Sequence, residues 1–332
     1  MEKLLAVLTL GCLLGGACFA LPGAPEPPRE QPGRASRHGG EGAPGAPAGS
    51  SGARRVLLRI LRAALLAAVV IGLLLAFEGC FIFYPTSAPA LSWDLLPAGA
   101  EECTFQTADG LRLHAWWHPG VGPDDASLRP VVLWCHGNAG NITHRADNLD
   151  MLARRGLAVF LFDYRGYGRS EGKPSERGLY EDARAAYRCL TEERGVAPAR
   201  IVCFGRSLGA AVAVQLALDR PVAGVVLEGA FKSVPAMARK MLPWLPIWLL
   251  LRNRFDTAGK VPRLTVPLLM FHGSRDEIAP LAQGRAVFEA APEPKAFCLV
   301  EGGTHNDTYA VGGEQYLRSF AEFCRDCVTR AQ

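Results

Sequence analysis

The feature that most constrains the fold is a short turn with the sequence FGRSLG, over residues 204–209. A mostly apolar run at 200–203 precedes the turn, and the apolar stretch 210–218 follows it. A bend of this kind leaves no room for a side chain at Gly205 or Gly209, and it lifts the serine hydroxyl out of the sheet edge at a helix N-terminus. The pattern therefore predicts a strand–turn–helix unit with Ser207 exposed at its bend.

The same Gly-x-Ser-x-Gly pattern occurs a second time, as GRSEG over residues 168–172. This copy runs directly into Lys173-Pro174, so no helix begins at its serine. Because the reactive form of the motif requires a strand before the serine and a helix after it, we interpret Ser170 as a loop residue. Ser207 is the candidate nucleophile.

Short apolar strands alternate with helices from about residue 98 to the end of the chain. An early strand with alternating polarity follows a hairpin turn at Asp109-Gly110. Buried strands separated by helices favour an α/β fold with a mostly parallel central sheet that is covered by helices on both faces. The predicted strands are 111–117, 130–135, 157–162, 200–203, 222–227, 266–271 and 296–300, and the predicted helices include 142–155, 175–193, 281–291 and 313–328.

Two loops that follow late strands carry the residues that activate a serine. Asp276 lies in the loop after strand 266–271, and His305 lies in a glycine-flanked loop after strand 296–300. A serine hydroxyl needs a neighbouring imidazole to take its proton, and the imidazole needs a carboxylate to fix its tautomer. Ligands of such sheets bind at the carboxyl ends of the strands. We therefore predict a catalytic triad of Ser207, Asp276 and His305.

The same loops contain alternatives to these assignments. Glu277 could replace Asp276 as the acid. His272 is attached directly to its strand, and we interpret it as a packed structural histidine. Asp307 is interpreted as a cap of the final helix.

The loop after strand 130–135 has the sequence HGNAGN, over residues 136–141. A glycine-rich turn at this position allows the backbone N–H of Asn138 to approach a reacting oxygen, together with the N–H of Leu208. These two N–H groups are the predicted oxyanion hole.

The N-terminal part of the chain differs in composition from the rest. Residues 1–21 form an apolar segment that fits a signal peptide, with a small-residue cleavage site at Ala20. The alternatives are a first membrane helix, or a segment that is not made because translation starts later. Residues 22–53 are dominated by Pro, Gly, Ala, Ser and Arg, and such a segment buries too little apolar surface to fold, so we predict a disordered linker.

A transmembrane helix is predicted over residues 56–84. Its apolar part, 63–84, reaches roughly 33 Å at 1.5 Å per residue, enough to cross a bilayer. Four arginines crowd its front end (Arg54, Arg55, Arg59 and Arg62), and no Lys or Arg follows before Arg112. The positive-inside rule then places the N-terminus in the cytoplasm and the folded domain on the lumenal, periplasmic or extracellular side. A cleaved signal peptide would give the opposite orientation.

The charge of the chain argues against nucleic acid as a partner. The net charge of +4 lies in the first 62 residues, whereas residues 63–332 hold 28 Lys/Arg and 28 Asp/Glu. The folded part is thus electrically balanced. Its cysteines form neither a zinc pattern nor a disulfide framework, and we expect no metal and no cofactor. The oligomeric state stays open.

Four motifs resemble the membrane-anchored serine hydrolases of the α/β-hydrolase superfamily, including the bud-emergence group: HGNAGN (136–141), DYRGYGRSEG (163–172) with GLYED (178–182), FGRSLG (204–209) and GTHNDT (303–308). The resemblance implies an α/β-hydrolase domain over 98–332 behind a single membrane anchor, and a triad at Ser207, Asp276 and His305. The expected activity is cleavage of an acyl ester, thioester or lipid. A serine peptidase with the same triad and a non-catalytic membrane scaffold are the alternatives.

An apolar insert over residues 231–264 separates two of the predicted strands. In this architecture such an insert forms a short helical cap over the site. We expect Trp244 and Trp248 to line an acyl-chain pocket; the alternative is a buried crossover helix that packs on the sheet.

Overall fold

The computed structural model describes residues 50–87, 96–122 and 128–331. The chain divides into two units, 1–73 and 74–332. The predicted signal peptide over 1–21 and nearly all of the predicted linker over 22–53 lie outside the described residues.

The second unit alternates strands and helices as the sequence predicts. The helices are α1 (Ser50–Ala76, which continues from the first unit), α2 (Glu78–Ile82), α3 (Ala146–Ala153), α4 (Glu176–Arg188), α5 (Leu208–Asp219), α6 (Val234–Met241), α7 (Thr257–Lys260), α8 (Leu281–Ala290) and α9 (Thr308–Ala331). The strands are β1 (Tyr84–Pro85), β2 (Glu101–Gln106), β3 (Arg112–His118), β4 (Val131–Cys135), β5 (Ala139–Gly140), β6 (Ala158–Phe162), β7 (Ile201–Arg206), β8 (Gly224–Glu228), β9 (Leu268–Gly273) and β10 (Lys295–Val300).

Eight of the strands form one sheet in the order β10-β9-β8-β7-β4-β6-β3-β2. The six strands from β10 to β6 run parallel, and β3 and β2 pair antiparallel at one edge. The strand with the candidate nucleophile, β7, lies in the middle, between β4 and β8. The prediction of an α/β fold with a mostly parallel central sheet is confirmed.

The sheet buries side chains on both faces, because alternate residues of a strand point to opposite sides. On one face the strands pack against α4 and α5, in a cluster that includes Leu133, Phe160 and Leu227. On the other face Trp134 and Phe204 pack against α3 and α9, with Phe204 meeting Phe320 edge-on at 5.0 Å between ring centroids. Helices cover both faces of the sheet and exclude water from the strands, which explains their continuous apolar sequences.

Helix α1 is the one helix of the described residues that is long and apolar enough to cross a membrane. Its apolar part, Gly52–Ala76, has 25 residues, a mean hydropathy of 2.3 in its most apolar window, and no buried residue in that window. At 1.5 Å per residue the part is roughly 37 Å long. Length and composition therefore permit a membrane span.

The structure differs from the predicted span at its C-terminal end. The continuous helix ends at Ala76 rather than at residue 84. The carboxylate of Glu78 is buried and accepts hydrogen bonds from the backbone N–H of Asn253, and Phe83 lies in the core against Phe255. The folded domain thus begins before the predicted boundary at residue 98, because this segment packs on it.

The cap insert over residues 231–264 contains only short helical segments. Helix α6 begins after Ser233, whose hydroxyl accepts from the N–H of Ala236 at 3.2 Å. A 3-10 turn follows at Pro246–Leu249, and α7 leads into a second 3-10 turn at Val261–Arg263. The insert lies between β8 and β9, at the carboxyl edge of the sheet, where the candidate nucleophile also lies.

Candidate active site

The turn after β7 holds Ser207 in a backbone conformation that side chains rarely adopt, with φ 53° and ψ −117°. Such a conformation costs about 1–3 kcal/mol and persists only when the surroundings impose it. Here the N–H of Ser207 donates to the carbonyl of Glu228 at 2.8 Å, and α5 begins at the next residue. The predicted strand–turn–helix unit is present, and the serine side chain is partly exposed at its bend.

Both glycines of the turn are required by close packing. A Cβ at Gly205 would lie 2.4 Å from the carbonyl oxygen of Gly209, and a Cβ at Gly209 would lie 2.0 Å from the carbonyl oxygen of Cys135. Neither obstacle is a flexible side chain. The glycines therefore let α5 approach β7 and the end of β4 closely, which fixes the position of the serine.

The structure brings the three predicted triad residues together. Nδ1 of His305 lies 2.7 Å from Oδ2 of Asp276, and Nε2 of His305 lies 2.9 Å from Oγ of Ser207. Because a carboxylate only accepts, Nδ1 carries the proton, and Nε2 is left to accept from the serine hydroxyl. This geometry is that of a serine nucleophile with an adjacent base and an orienting acid.

The acid of the site is held by its own loop. Oδ1 of Asp276 accepts from the N–H groups of Ile278 at 3.0 Å and Ala279 at 2.7 Å. The rival acid, Glu277, is exposed to solvent.

His272 is fully buried and donates from Nε2 to the carbonyl of Ala279, and burial lowers its pKa. It fits the interpretation as a structural residue that braces the loop of Asp276.

A buried ion pair beneath the serine escaped the sequence analysis. Arg206 donates from Nε to Glu228 at 2.9 Å, and its Nη2 donates to the carbonyl of His305 at 2.8 Å. The hydroxyls of Thr308 and Tyr316 donate to the two carboxylate oxygens of Glu228, each at 2.5 Å. Two neighbouring strand ends are thus tied to the loop of the histidine. A charged residue that closes an otherwise apolar strand was the available signal.

The loop that follows β4 lies against the serine turn. A Cβ at Gly137 would be 3.6 Å from Cβ of Ser207, in ordinary contact. Asn138 is the next residue, and Leu208 is the first residue of α5, where the N–H has no acceptor within the helix. The two residues predicted to form the oxyanion hole therefore lie on the two segments that meet at Ser207.

Asn138 is held in place by residues distant in the sequence. Its carbonyl accepts from the N–H of Tyr84 at 3.0 Å and from the hydroxyl of Tyr167 at 2.8 Å, and its side-chain amide donates to the carbonyl of Ile82 at 2.9 Å. Strand β1 continues this contact by pairing in parallel with β5, with Tyr84 opposite Ala139. The segment directly after α1 and α2 thus forms part of the site's framework, which the sequence analysis did not anticipate.

His136, at the start of this loop, is fully buried and neutral. Its Nδ1 donates to the carbonyl of Gly137 at 2.7 Å, and its ring packs against Tyr164 with centroids 4.4 Å apart. Burial lowers the pKa of His136 to about 3, and the positive charge of Arg145 contributes. The residue is a packing element of the loop rather than a proton carrier.

The second Gly-x-Ser-x-Gly copy is structural. Ser170 is buried in a loop, its hydroxyl donates to the carbonyl of Asp163 at 2.7 Å, and it accepts from the N–H of His114 at 2.9 Å. With both roles of its hydroxyl occupied, Ser170 braces the loop between β6 and α4 against β3.

Neither tryptophan of the cap is fully buried, as the wall of a closed pocket would require. Trp244 is 71% exposed. Trp248 is half-buried, and the guanidinium of Arg239 lies 6.0 Å from its ring centroid. An acyl-chain pocket involving these residues stays a prediction, and Trp244 could contribute to it only from an open surface.

A mostly parallel eight-stranded sheet with a serine at a strained strand–helix turn, an acid after β9 and a histidine after β10 defines an α/β hydrolase. Comparison with known proteins agrees. A family model described as serine aminopeptidase, S33, matches residues 126–258. The α/β-hydrolase domain-containing protein WAV2 of Arabidopsis thaliana is 33% identical, over 76% of this chain and 89% of its own length.

Further relatives and structures extend this agreement. An uncharacterised protein of Mycobacterium tuberculosis is 38% identical, over 81% of this chain and 95% of its own length. An esterase from Pyrococcus furiosus has the same fold, with a TM-score of 0.59 and 20% identity over 74% of this chain and 97% of its own. The esterase domain of a Rhodothermus marinus protein gives a TM-score of 0.52 and 25% identity, over 67% of this chain and 98% of its own. This chain belongs to the α/β-hydrolase family.

Proposed function

We propose that the protein is a membrane-anchored serine hydrolase that cleaves a carboxylic ester or thioester of an acyl or lipid substrate through an acyl-enzyme intermediate. The observation that carries the proposal is the position of His305, which lies within hydrogen-bonding distance of both Ser207 and Asp276. Three residues from three distant loops meet in the order and geometry that activate a hydroxyl.

In the first half of the reaction, Nε2 of His305 takes the proton of Ser207, and the serine oxygen attacks the substrate carbonyl. The tetrahedral intermediate carries its negative charge on the former carbonyl oxygen, which the N–H groups of Asn138 and Leu208 stabilise. Each such N–H lowers the barrier by about 3–4 kcal/mol in comparable sites. His305 then gives its proton to the leaving alcohol or thiol, and an acyl-serine remains.

In the second half, His305 takes a proton from a water molecule, whose oxygen attacks the acyl-serine. The intermediate collapses, the acid product leaves, and the proton returns to Ser207. Asp276 holds Nδ1–H throughout and stabilises the imidazolium at each step without taking the proton itself. No metal or cofactor takes part in this scheme.

Membrane anchoring through α1 is the second part of the proposal. It is supported by the length and hydropathy of Gly52–Ala76 and by the four arginines at the front of the helix. By the positive-inside rule these arginines remain in the cytoplasm, which puts the hydrolase unit on the other side of the membrane. The bilayer is then the source from which an acyl substrate reaches the site.

A serine peptidase is the second candidate, because the matching family model is described as a serine aminopeptidase. The same triad cleaves amides when the leaving amine is protonated by the histidine. A scaffold without catalysis would retain the fold but not react at Ser207.

The test is turnover by the purified full-length protein in detergent or nanodiscs, with a panel of acyl esters, acyl thioesters and aminoacyl amides. We expect ester or thioester turnover that is lost in Ser207→Ala. Ser170→Ala is the matched control, because this serine has the same flanking pattern, and it should retain turnover within a few-fold. Preferred cleavage of amides would favour the peptidase. Turnover that is equal in Ser207→Ala and in the wild type would refute the proposal.

A further inference from the structure

We propose that the cap carries a second membrane contact, an exposed apolar surface that docks onto the lipid bilayer beside the end of α1. This surface, called the cap patch below, consists of Met241, Trp244, Leu249 and Leu250. The inference rests on the proposed anchoring by α1, and it identifies the lipid bilayer as the partner of the cap.

The four side chains of the cap patch are unusually exposed for their size. Their exposed fractions are 56% for Met241, 71% for Trp244, 70% for Leu249 and 52% for Leu250. Single exposed leucines are normal on protein surfaces, but four large apolar side chains within ten residues mark an interaction site. Tryptophan is the residue most suited to a lipid–water boundary, because its ring is apolar and its N–H remains polar.

Cations frame the cap patch on both sides in the sequence. Arg239 and Lys240 precede it, and Arg252 and Arg254 follow it. Lys240, Arg252 and Arg254 are exposed. An apolar centre with a basic rim matches a lipid surface, because the leucines enter the acyl region while long basic side chains such as those of Lys240 and Arg254 reach the phosphates. The charge pattern therefore favours lipid over an uncharged protein partner.

The structure fixes the cap patch next to the point where α1 ends. The carboxylate of Glu78, which is 4% exposed, accepts from the N–H of Arg252 at 3.1 Å, the N–H of Asn253 at 2.7 Å and the side-chain amide of Asn253 at 3.0 Å. In addition, Nη2 of Arg252 donates to the carbonyl of Leu75 in the last turn of α1. A buried carboxylate with three donors is held firmly, because breaking these hydrogen bonds leaves an unpaired charge.

The hydrogen bonds of Glu78 and Leu75 place the end of the cap patch near the last turn of α1. Leu249 and Leu250 are three and two residues before Arg252, and Glu78 is two residues after the end of α1. If α1 leaves the bilayer at Ala76, the cap patch begins at the membrane surface. The cap then borders both the bilayer and the carboxyl edge of the sheet, and a lipid-borne ester has a short path between them.

The experiment uses full-length protein in nanodiscs that hold one copy each, so that contacts between copies are excluded. The discs contain phosphatidylcholine and phosphatidylglycerol with or without bromine on the acyl chains, and tryptophan fluorescence is recorded. Bromine quenches a tryptophan only when the ring touches the acyl region. Trp244→Leu keeps the patch apolar while removing the reporter, and Trp117→Leu, in β3 of the sheet, is the matched control.

We expect Trp244→Leu to lose most of the bromine-dependent quenching and Trp117→Leu to retain it. Equal quenching in the wild type and Trp244→Leu would overturn the docking while leaving the anchoring intact. Failure of the protein to enter nanodiscs would overturn both, because the inference requires α1 in the bilayer.

A second variant tests docking without altering the reporter. Leu249→Glu places a charge in the patch, and Val121→Glu, at a residue that is 53% exposed outside the cap, is its control. Docking predicts that Leu249→Glu reduces the bromine-dependent quenching several-fold and Val121→Glu does not. Unchanged quenching in Leu249→Glu would contradict docking. Both quenching measurements are independent of turnover, so the inference can fail while the proposed hydrolase activity stands.

Discussion

At the scale of single residues, the site depends on how the imidazole of His305 is oriented. The ring contacts Ser207 on one side and Asp276 on the other, and its backbone carbonyl is held by Arg206. Both the ring and the backbone of His305 are thus fixed before a substrate arrives. Preorganised groups of this kind provide most of the rate enhancement in hydrolases, because they need no rearrangement during the reaction.

Replacing the acid tests this orientation. Asp276→Asn keeps the size of the side chain but can present an N–H to Nδ1, which favours the wrong tautomer of His305. We expect kcat to fall by about 10⁴, by analogy with serine proteases. Glu277→Gln is the control, because Glu277 is exposed and Asp276 is the carboxylate that contacts His305. Measured kcat values for the two variants on one ester check the assignment, and a larger loss in Glu277→Gln would reverse it.

The buried His136 predicts how stability depends on pH. Its pKa is about 3 in the folded protein, against about 6.5 in an unfolded chain. Below pH 6.5 the unfolded state therefore binds a proton that the folded state does not, so this residue reduces stability as pH falls. Between pH 7 and pH 5 the reduction is about 2 kcal/mol. Well above pH 6.5 neither state binds this proton, so the loss of stability is absent there.

The measurement compares urea unfolding of the wild type and His136→Asn at pH 7 and pH 5. The variant starts less stable, but its unfolding free energy should fall by about 2 kcal/mol less between the two pH values. If both proteins lost the same amount, His136 would not remain neutral in the folded state.

At the scale of secondary structure elements, the loop between β4 and β5 is supported by strand β1 and by Tyr167. The hydroxyl of Tyr167 donates to the carbonyl of Asn138, so it holds the peptide unit next to the predicted oxyanion donor. An error of one ångström in that donor's position would weaken its bond to the transition state more than its bond to the substrate. Its support is therefore a determinant of kcat.

Tyr167→Phe removes this support and leaves the core packing in place. We expect kcat to fall about tenfold with little change in KM, because roughly 1–1.5 kcal/mol of positioning is lost in the transition state. Tyr187→Phe is the matched control, since its hydroxyl donates to the carbonyl of Pro221 at the same distance of 2.8 Å, away from the site. A similar kcat loss in both variants would indicate general destabilisation rather than positioning.

The sequence was sufficient for the elements whose signals are local. The turn around Ser207, the strands that precede Asp276 and His305, and the loop of Asn138 are each encoded within about ten residues. Arg206 and Glu228 could not be paired from the sequence, because neighbouring strands join them across 22 positions. Glu78 was read as part of an apolar span, because hydropathy averages over a window and does not reveal a carboxylate whose partners lie 175 residues later.

At the scale of the whole molecule, the proposed function combines a membrane anchor with a hydrolase. Helix α1 provides the length and hydropathy of a span, and the residues directly after it belong to the hydrolase fold. Among these residues, Glu78, Phe83 and Tyr84 are all fixed by the contacts described above.

Charges within α1 test the anchoring. Val69→Glu with Leu73→Glu puts two carboxylates on one face of the helix, each costing about 3 kcal/mol in a bilayer. We expect the protein to stop floating with vesicles in a density gradient while it still hydrolyses a water-soluble ester. Val69→Leu with Leu73→Ile is the control and should float. Flotation of the charged variant would show that α1 is not the anchor.

The central claim is that the hydroxyl of Ser207 is the nucleophile, and covalent labelling tests it most directly. The folded full-length protein is treated with a fluorophosphonate, digested, and analysed by mass spectrometry. We expect one phosphonylated residue per chain, Ser207, with labelling strongly slowed in His305→Ala and absent in Ser207→Ala. A folded protein that remains unlabelled, or one that is modified at Ser170 instead, would contradict it.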